Sequence, residues 1–558
     1  MKKLYQAVLF VLLCCLTPLV ASAQSFRVQC PTSTVTHPSS LHDNNSEPAY
    51  NGPTNLAVPT IPPAGTNGGF LMPTGNVNGA IKCQQIGGGD GLSTMGDGTQ
   101  IYMFSFGPLS GLADIANGQP GTEFPSVFNT VYPGTFLPGD PATTVGGSSG
   151  GNAVPIGFTY NGAVGLVPDA DCMAGNAAAA ASGGTPPCPN LPADGLDGHV
   201  DPRAIIDVGV MNGNIPAPLF AIDEDDEFFL ALSNVGMIMR PDLFEQHTVH
   251  FHGYPNASTF YDGVPDASVA INIGGSFTYY YLAPDAGTYF WHCHITPPEH
   301  LQMGMVGQLY VRPRQNRVPV GQSLYTYLGY QQNDNRTKCD STQDILCSNP
   351  LPAGGAAANT AARAATGNYA YNDGDGSTYY DVEYPIQIHG FDPNFHFVGM
   401  TFNPEEFNDM KDKYFLLNGR SYPDTVTPGP LATQATDGKM HFSQPLPSII
   451  NIPAGGKALL RISDLDVTEY QTLASLGIPM TVIGFNAKLL RDQAGNNLYY
   501  TTNSITLAGG ESLDVILDAT DKTKYPSGSI FYLYTPNLDH LSNDAENFGG
   551  LMTEVHIN

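Results

Sequence analysis

Short apolar and aromatic segments recur along the chain, and residues that favour turns separate them. Phe228–Leu232 and Phe277–Leu282 are bounded by Gly, Pro, Asn or Asp, and a further segment lies at Gln100–Phe106. Short aromatic segments between turn residues are typical of β-strands rather than of long helices. The pattern is dense from residue 204 to about 314 and again from 384 to 558. The sequence therefore predicts an all-β protein and excludes a helical bundle.

Polar regions rich in Gly and Pro separate the strand-rich blocks and divide the 558 residues into parts. We predict a signal peptide at 1–23, an extended lead-in at 24–97, a first domain at 98–314 with a long insertion at 107–203, a linker at 315–380 and a second domain at 381–558. Loops as long as the 107–203 insertion are usually functional or disordered, and composition does not decide between the two.

The two strand-rich blocks look like copies of one domain. Gly287–His294 aligns with Gly528–Thr535, and Phe229–Asn234 aligns with Leu459–Asp464. A single all-β domain type used twice explains the repeat better than chance does. The sequence thus predicts two Greek-key β-sandwich domains with long Gly/Pro-rich insertions.

The charge balance restricts the partners. Lys and Arg total 22 residues against 50 Asp and Glu residues, which gives a net charge of −28. Nucleic acids and anionic membrane surfaces are bound through Lys and Arg, so neither is an expected partner.

The N-terminus has the pattern of a secretory signal. Lys2 and Lys3 precede the apolar run Val8–Leu16, and Ala21–Ala23 supplies small residues for cleavage. The apolar run is shorter than the ~20 residues that a spanning helix needs, and no later segment is long and apolar enough. We therefore predict an exported protein, periplasmic or extracellular, with no membrane span.

The cysteines fit an oxidising compartment. Beyond the signal, one cysteine (Cys293) stands between two histidines, and six others remain: Cys30, Cys83, Cys172, Cys188, Cys339 and Cys347. An even number suggests three disulfides. Pairing neighbours, Cys172 with Cys188 and Cys339 with Cys347, leaves Cys30 with Cys83, which is the simplest of many possible pairings. Cys293 is left over, which suggests a metal ligand.

Six of the 14 histidines fall in two short clusters. The first cluster contains His247, His250 and His252, and the second contains His292, Cys293, His294, His300, Met303 and Met305. Residues two apart on a strand share a face, so His292 and His294 point one way and Cys293 points the other. Two metal positions can therefore lie on opposite sides of this strand.

Two imidazoles, a thiolate and a weak axial thioether form the ligand set of a blue-copper site. His247, Cys293 and His300 supply the three strong ligands and Met305 the axial one, with Met303 as the alternative axial ligand. Zinc is the remaining alternative metal, although structural zinc sites seldom include an appended Gly-Met pair.

These motifs resemble those of the multicopper oxidases, whose domains are cupredoxin sandwiches. His250–Gly253 followed by Asp262–Pro265 is similar to one family motif, and His292–His294 with His300 and Gly304–Met305 is similar to another. His300 lies two residues further from Cys293 than is usual in the family. The spacing is also similar to that of two-domain copper nitrite reductases, which carry this site in the first domain.

The resemblance implies two kinds of copper site in the first domain. His247, Cys293, His300 and Met305 would hold a type 1 copper that takes single electrons from a small molecule, a metal ion or a redox protein. Four histidines would form half of a type 2/type 3 copper site with oxygen as the acceptor: His250, His252, His292 and His294. His292, Cys293 and His294 would be the catalytic link between the two sites.

The second block does not repeat the ligands. Gln471, Ala474 and Leu476 stand opposite His247, His250 and His252, and Leu533, Tyr534 and Thr535 stand opposite His292, Cys293 and His294. We predict a copper-free second domain in which His540 is left without partners. We interpret His389 and His396 as isolated non-ligands in a loop-like segment.

Three functions remain open. The preferred one is an oxidase in which a homo-oligomer completes the copper cluster, because two first domains facing each other would double the number of histidines. The second is a non-enzymatic blue-copper electron carrier, and the third is a structural or adhesive protein on a cupredoxin scaffold. A nitrite-reductase-like variant would need a third histidine from a neighbouring domain.

Overall fold

The structure is a computed structural model. It describes residues 28–59, 71–111, 114–115, 117–129, 166–168, 170–186, 196–200, 215–237, 240, 242–254, 258–283, 285–333, 349–401, 407–434, 440–544 and 546–558. Within these ranges, no helix has both the length and the apolar character needed to cross a membrane. The predicted signal peptide and four of the cysteines expected to form disulfides, in the 107–203 and 315–380 regions, lie outside the residues whose side chains are described.

The first sandwich contains two four-stranded sheets. Its strands are β1 (Ile81–Thr94), β2 (Gln100–Pro108), β3 (Phe220–Asp223), β4 (Glu227–Gly236), β5 (His250–Phe251), β6 (Ser276–Leu282), β7 (Gly287–His292) and β8 (Val306–Arg312). One sheet has the order β6-β4-β1-β2, and the other has the order β3-β8-β7-β5. Alternate apolar side chains of the two sheets face each other and form the core. At its centre, the Trp291 ring stacks on Phe220 with a centroid distance of 4.6 Å.

The predicted lead-in at 24–97 is partly wrong, because β1 belongs to the first sandwich. It lies parallel to β4 and antiparallel to β2 in the middle of its sheet. The strand contains the run Gly87–Gly91, interrupted only by Asp90, and glycine has low strand propensity, so the sequence pattern conceals it. The Cys30–Cys83 disulfide, which is formed as predicted, ties the preceding segment to β1.

The second sandwich has the same plan. Its strands are β9 (Val382–Phe391), β10 (Tyr414–Leu417), β11 (Ile450–Ile452), β12 (Lys457–Asp464), β13 (Gln471–Leu476), β14 (Met480–Phe485), β15 (Lys488–Leu489), β16 (Tyr500–Thr502), β17 (Ser504–Leu507), β18 (Ser512–Asp518), β19 (Ile530–Tyr534) and β20 (Met552–Ile557). One sheet contains β18-β12-β9-β10, and the other contains β11-β20-β19-β13. These orders repeat β6-β4-β1-β2 and β3-β8-β7-β5, and the parallel pairs fall at the same places. The prediction of an all-β fold built from two sandwiches is confirmed.

The region predicted as a linker, 315–380, packs on the second sandwich. It contains a helix at Leu324–Gln331 and a short hairpin at Asn368–Tyr369 and Tyr379–Tyr380. Buried Tyr371 and Tyr380 form a cluster with Leu459 and Ile516 of the second sandwich. Within the 107–203 insertion, the described parts include a helix at Ala170–Ser182 and an antiparallel pair of short strands, Leu166–Pro168 and Leu196–Val200.

Buried hydrogen bonds join the two sandwiches. Gln308 of β8 donates through Nε2 to the Arg461 carbonyl and to Ser463 Oγ, each at 2.9 Å. Thr288 of β7 donates to Asp514 Oδ1 at 2.6 Å. Because β7 ends at His292, these bonds fix the second sandwich directly behind the strand that leads into the histidine and cysteine motif.

Candidate metal centre

Three predicted ligands of the first position meet in the core of the first sandwich. One ligand atom from each of His247, Cys293 and His300 lies within 4.8 Å of the others. All three side chains are fully buried, and His300 Nδ1 is 3.2 Å from Cys293 Sγ. We name this set the cysteine group. Met303 and Met305 are buried in the same core, and the choice of Met305 as axial ligand stays a prediction.

Separate segments bring the cysteine group together. His247 precedes β5 and exchanges two backbone hydrogen bonds with Ile271, while Cys293 follows the last residue of β7. His300 lies on a short helix, α1 (Pro297–Gln302). The Cys293 N–H donates to the Met305 carbonyl at 3.1 Å, and the Met305 N–H donates to the His300 carbonyl at 2.8 Å. The backbone therefore holds Cys293, His300 and Met305 in one arrangement.

Unpaired polar atoms in the cysteine group favour a metal. Neither ring nitrogen of His247 has a hydrogen-bond partner among the described residues, although the ring is fully buried. Leaving a buried polar group unpaired costs free energy, and coordination to a metal removes that cost. Burial, assisted by His300, lowers the pKa of His247 well below its usual value, so the ring stays neutral and able to bind metal. Two imidazoles, a sulfur and a nearby thioether fit copper.

His300 is also held from outside the cysteine group. Its Nε2 lies 3.3 Å from Glu245 Oε2, and that carboxylate is partly exposed. Burial lowers the pKa of His300, but Cys293 and Glu245 raise it more, to about 10. The ring thus points Nδ1 at the sulfur and Nε2 at a carboxylate, which fixes its orientation.

The remaining predicted ligands form a second set beside the first. Ligand atoms of His250, His292 and His294 lie within 4.8 Å of one another, and His252 Nε2 is 3.0 Å from His292 Nε2. We name these four residues the histidine group. His250 and His292 are direct cross-strand partners on β5 and β7. Strand alternation places this group on the opposite side of β7 from the Cys293 sulfur, as predicted.

Backbone carbonyls orient the rings of the histidine group. His292 Nδ1 lies 2.7 Å from the Cys293 carbonyl, and His250 Nδ1 lies 2.7 Å from the Asp262 carbonyl. Such contacts leave the opposite nitrogen of each ring available to a metal. Burial, followed by the neighbouring His250, lowers the pKa of His252 to about 4. Neutral rings with free nitrogens are what metal binding requires.

Among the described residues of the second sandwich, no side chain belongs to either group, and the register differs from our prediction by one residue. Tyr534 pairs with Met552 as His292 pairs with Val306, and the Thr535 N–H donates to the Leu551 carbonyl as the Cys293 N–H donates to Met305. The residues equivalent to His292, Cys293 and His294 are therefore Tyr534, Thr535 and Pro536, not Leu533, Tyr534 and Thr535. Hydrogen bonding, rather than alignment of Gly287 with Gly528, sets this register.

The prediction that His540 is left without partners is wrong. Its Nδ1 lies 2.8 Å from Gln471 Oε1, and its Nε2 lies 2.8 Å from Glu469 Oε2. Its ring stacks on Phe415 with a centroid distance of 4.0 Å. Gln471, equivalent to His247, therefore holds His540 by a hydrogen bond where the first sandwich brings two imidazoles and a sulfur together.

His389 and His396 do not lie in a loop, as the sequence pattern suggested. His389 is on β9, and His396 is on the helix α2 (Pro393–Thr401). Both are almost fully buried and contact the backbone of α1, the helix that carries His300. Neither belongs to a group of metal-binding side chains within the described part of the chain.

Two glycines that sequence reasoning missed make room for the ligands. A Cβ at Gly88 of β1 would lie 2.4 Å from His247 Cδ2, and a Cβ at Gly510 would lie 2.7 Å from His252 Nδ1. The run of glycines at 87–89 was the signal that could have found the first of them, because glycine inside a strand marks a close approach of another group. Gly510 belongs to the second sandwich, which thus forms part of the wall of the histidine group.

Part of the chain matches known proteins. Residues 198–316, which contain both groups, match the family model for multicopper oxidase. Laccase abr2 of Aspergillus fumigatus is 34% identical over 109 residues, which are 19% of this chain and 17% of that protein. L-ascorbate oxidase of Cucumis sativus is 32% identical over 113 residues, with the same two shares. The predicted resemblance to multicopper oxidases is confirmed over this region.

The match is limited in extent. The region spans less than a fifth of the length of these curated relatives. Among solved structures, the blue copper oxidase from Nitrosomonas europaea aligns with 62% of this chain and 78% of its own length, at 20% identity and a TM-score of 0.40. The activity and substrates of the whole protein are therefore matters for proposal.

Proposed function

We propose that the protein is an exported, copper-dependent oxidoreductase of the multicopper-oxidase type. It takes single electrons from a donor at a type 1 site formed by His247, Cys293, His300 and Met305 and passes them to the histidine group, with oxygen as the acceptor. One observation carries the proposal: the cysteine group and the histidine group lie on opposite sides of one strand end and share the segment His292-Cys293-His294. Copper bound at these positions supplies one-electron redox chemistry.

The residues of the chain have three tasks in this function. Cys293 supplies the sulfur ligand, and its neighbours His292 and His294 provide a covalent path of a few bonds to the other group. Buried apolar side chains, including Phe106 and Trp291, pack in one core with Cys293 and restrict the movement of the ligand. Glu245 beside His300 Nε2 presents a partly exposed carboxylate toward a donor, which favours a cationic or hydrogen-bond-donating one.

The histidine group supports a further part of the proposal, a homo-oligomer. The second sandwich places Gly510 against His252 and has Ala474, Leu476 and Tyr534 at the equivalent ligand positions, so these positions supply no histidine to the group. His250 is 19% exposed and can still meet an added group. A second copy of the chain, facing the first through this group, would double the number of imidazoles.

Copper content, the optical spectrum and the native mass test the proposal together. We expect an intense visible thiolate-to-copper band, more than one copper per chain, an oligomeric mass, and oxygen uptake with a one-electron donor. A protein that takes up no copper, or that binds zinc in preference and stays colourless after copper loading, would contradict the type 1 assignment.

One observation favours a second candidate, a non-enzymatic blue-copper electron carrier. Among the described residues, neither metal-binding group includes a side chain of the second sandwich. A monomer with one copper per chain, a reversible blue colour and no oxygen consumption would select the carrier over the oxidase.

A further inference from the structure

Side chains of the second sandwich contact the helix that carries His300. His389 Nε2 lies 3.1 Å from the Leu301 carbonyl oxygen, and His396 Nε2 lies 2.9 Å from the Gln302 carbonyl oxygen. Both carbonyls belong to the last turn of α1, where helix carbonyl groups lack partners within the helix. His389 and His396 are each only 1% exposed. Two buried imidazoles therefore lie against the carbonyl end of this short helix.

The side chain of Gln302 adds two further contacts to the same sandwich. Its Oε1 accepts from the Asp392 N–H at 2.8 Å, and its Nε2 donates to Asp412 Oδ1 at 3.1 Å. Gln302 is fully buried. The two-residue segment Leu301–Gln302 thus makes four polar contacts with the second sandwich.

Backbone hydrogen bonds connect this segment to the predicted ligands. The Gly304 N–H donates to the Leu301 carbonyl at 3.0 Å, and the Met305 N–H donates to the His300 carbonyl at 2.8 Å. The Met305 carbonyl in turn accepts from the Cys293 N–H at 3.1 Å. A shift of Leu301–Gln302 would therefore change the position of His300 and Met305 relative to Cys293.

His396 also connects this helix to the first sandwich. Its Nδ1 lies 2.6 Å from the Tyr102 carbonyl oxygen on β2, opposite the nitrogen that faces Gln302. The imidazole therefore spans from β2 to the end of α1. A neutral imidazole carries one N–H, so His396 donates to one of these two carbonyls at a time.

We propose, on the basis of the copper function above, that the ligand-free second sandwich is the positioning element of the type 1 site. His396 is the principal positioning residue, with His389 and Gln302 beside it. They hold the end of α1 so that His300 Nδ1 faces the Cys293 sulfur. They bind no metal themselves.

The reactivity of Cys293 tests the proposal without any metal. Cys293 is fully buried in the intact protein, so an alkylating reagent reaches it only when the surrounding loop opens. We expect His396→Leu to increase the alkylation rate of Cys293, located by peptide mass spectrometry, by about tenfold, which corresponds to about 1.4 kcal/mol of local opening. His396→Gln keeps one amide donor and should restore part of the protection. The matched control is His556→Leu, which removes a second-sandwich histidine that pairs with Glu554 on β20.

The copper-loaded protein supplies the second readout. In His396→Leu we expect a shifted thiolate band and a changed reduction potential, with the thermal stability of the second sandwich lowered no more than in His556→Leu. A general loss of stability would not by itself move the potential of an intact site. An unchanged alkylation rate and potential in His396→Leu, next to a normal wild-type thiolate band, would overturn the positioning role.

Failure of the proposed function gives a different result. A wild-type protein that shows no thiolate band would contradict the copper site. The Cys293 alkylation rates would still show whether the second sandwich holds α1 in position. If His396→Leu does not fold, Gln302→Leu and hydrogen exchange of the wild type replace it. The Gly304 and Met305 amides should then exchange as slowly as those of β7, and rapid exchange there would overturn the proposal.

Discussion

The two sandwiches share one strand plan but treat the same buried position in opposite ways. In the first sandwich, His247, Cys293 and His300 meet, and both nitrogens of His247 lack hydrogen-bond partners among the described residues. In the second, the equivalent residues are Gln471, Thr535 and His540, and Leu551 is equivalent to Met305. There Gln471 donates to Asp466 Oδ2 at 2.6 Å and accepts from the imidazole of His540.

The difference shows what a metal would contribute to the first sandwich. Buried polar groups are stable when each finds a partner, and the second sandwich finds partners within the protein. The first sandwich leaves donor atoms unpaired at the very place where its copy is satisfied. A further contrast lies on the neighbouring strand: Gly88 pairs with Asn234, whereas Ile388 pairs with the equivalent Asp464. The first sandwich therefore has no side chain at the position beside which His247 is accommodated.

The largest expected effect comes from removing the sulfur that distinguishes the sandwiches. Cys293→Ser should abolish the thiolate-to-copper band completely, because only sulfur gives the strong charge-transfer absorption of a blue site. The optical spectrum of the copper-loaded variant measures it. The matched control is Thr535→Ser at the equivalent position, which should leave the band unchanged. A blue band that survives Cys293→Ser would show that the metal binds elsewhere.

The reverse experiment introduces the predicted metal ligands of the first sandwich into the second. The triple variant Gln471→His, Thr535→Cys and Leu551→Met should bind one additional copper per chain and add a second thiolate band, because His540 and the backbone geometry are already in place. Metal analysis and the optical spectrum test this. The double variant without Thr535→Cys is the control and should add no band.

A folded triple variant that gains no copper would show that equivalent strands are insufficient. The space beside residue 471 would then be the limiting factor, because Ile388 occupies the position that Gly88 leaves open beside His247. Adding Ile388→Gly to the triple variant tests that explanation directly.

The sequence predicts the opposite orientations of the His292-Cys293-His294 side chains because strand alternation is a local property. Residues two apart on a strand share a face, so the spacing alone assigns His292 and His294 to one side of the strand and Cys293 to the other. The one-residue error at Tyr534 arose because a shared glycine was used to align two strands whose register depends on backbone pairing.

The long-range contacts could not be predicted from the sequence for a different reason. His389 and His396 lie 88 and 94 residues along the chain from the residues of the helix that they contact, and no spacing rule connects them. The β1 strand was missed because its glycines carry no apolar pattern. One of those glycines, Gly88, leaves the space beside His247, so low strand propensity coincides with the place where the site requires space.

A smaller effect is expected from filling the space beside His247. Gly88→Ala places a Cβ 2.4 Å from His247 Cδ2 and forces the ring to move. We expect the copper affinity of the cysteine group to fall at least about tenfold, and the metal-free protein to lose about 1–3 kcal/mol of stability through overpacking. Competition with a chelator measures the affinity, and thermal unfolding measures the stability. Gly329→Ala on the Leu324–Gln331 helix is the control, because a Cβ there meets open space. Equal copper affinities in the two variants would show that Gly88 is not needed to make space for His247.

The smallest expected effect concerns the buried carboxylates beside the hydrogen-bonded residues that occupy the second sandwich's equivalent of the metal position. Burial, followed by the neighbouring Asp466, raises the pKa of Asp412 well above its usual value. The folded protein therefore keeps this proton at pH values where the unfolded chain, with a carboxyl pKa of about 4, has lost it. Unfolding then releases a proton, so the stability contribution is present below pH ~4 and is lost as pH rises toward the folded-state pKa.

Asp412→Asn should remove this pH dependence while keeping an acceptor for Gln302 Nε2. We expect the variant to match the wild type near pH 4 and to be more stable by about 1–2 kcal/mol at pH 8, since one pKa unit corresponds to about 1.4 kcal/mol. Denaturant unfolding at several pH values measures the difference. Asp492→Asn, at an exposed carboxylate whose pKa is lowered by its hydrogen bonds with Asn496, should gain no stability at any pH. A constant difference between Asp412→Asn and wild type across this range would mean that folding does not change the pKa of Asp412, and it would contradict the proton that the folded protein is expected to keep.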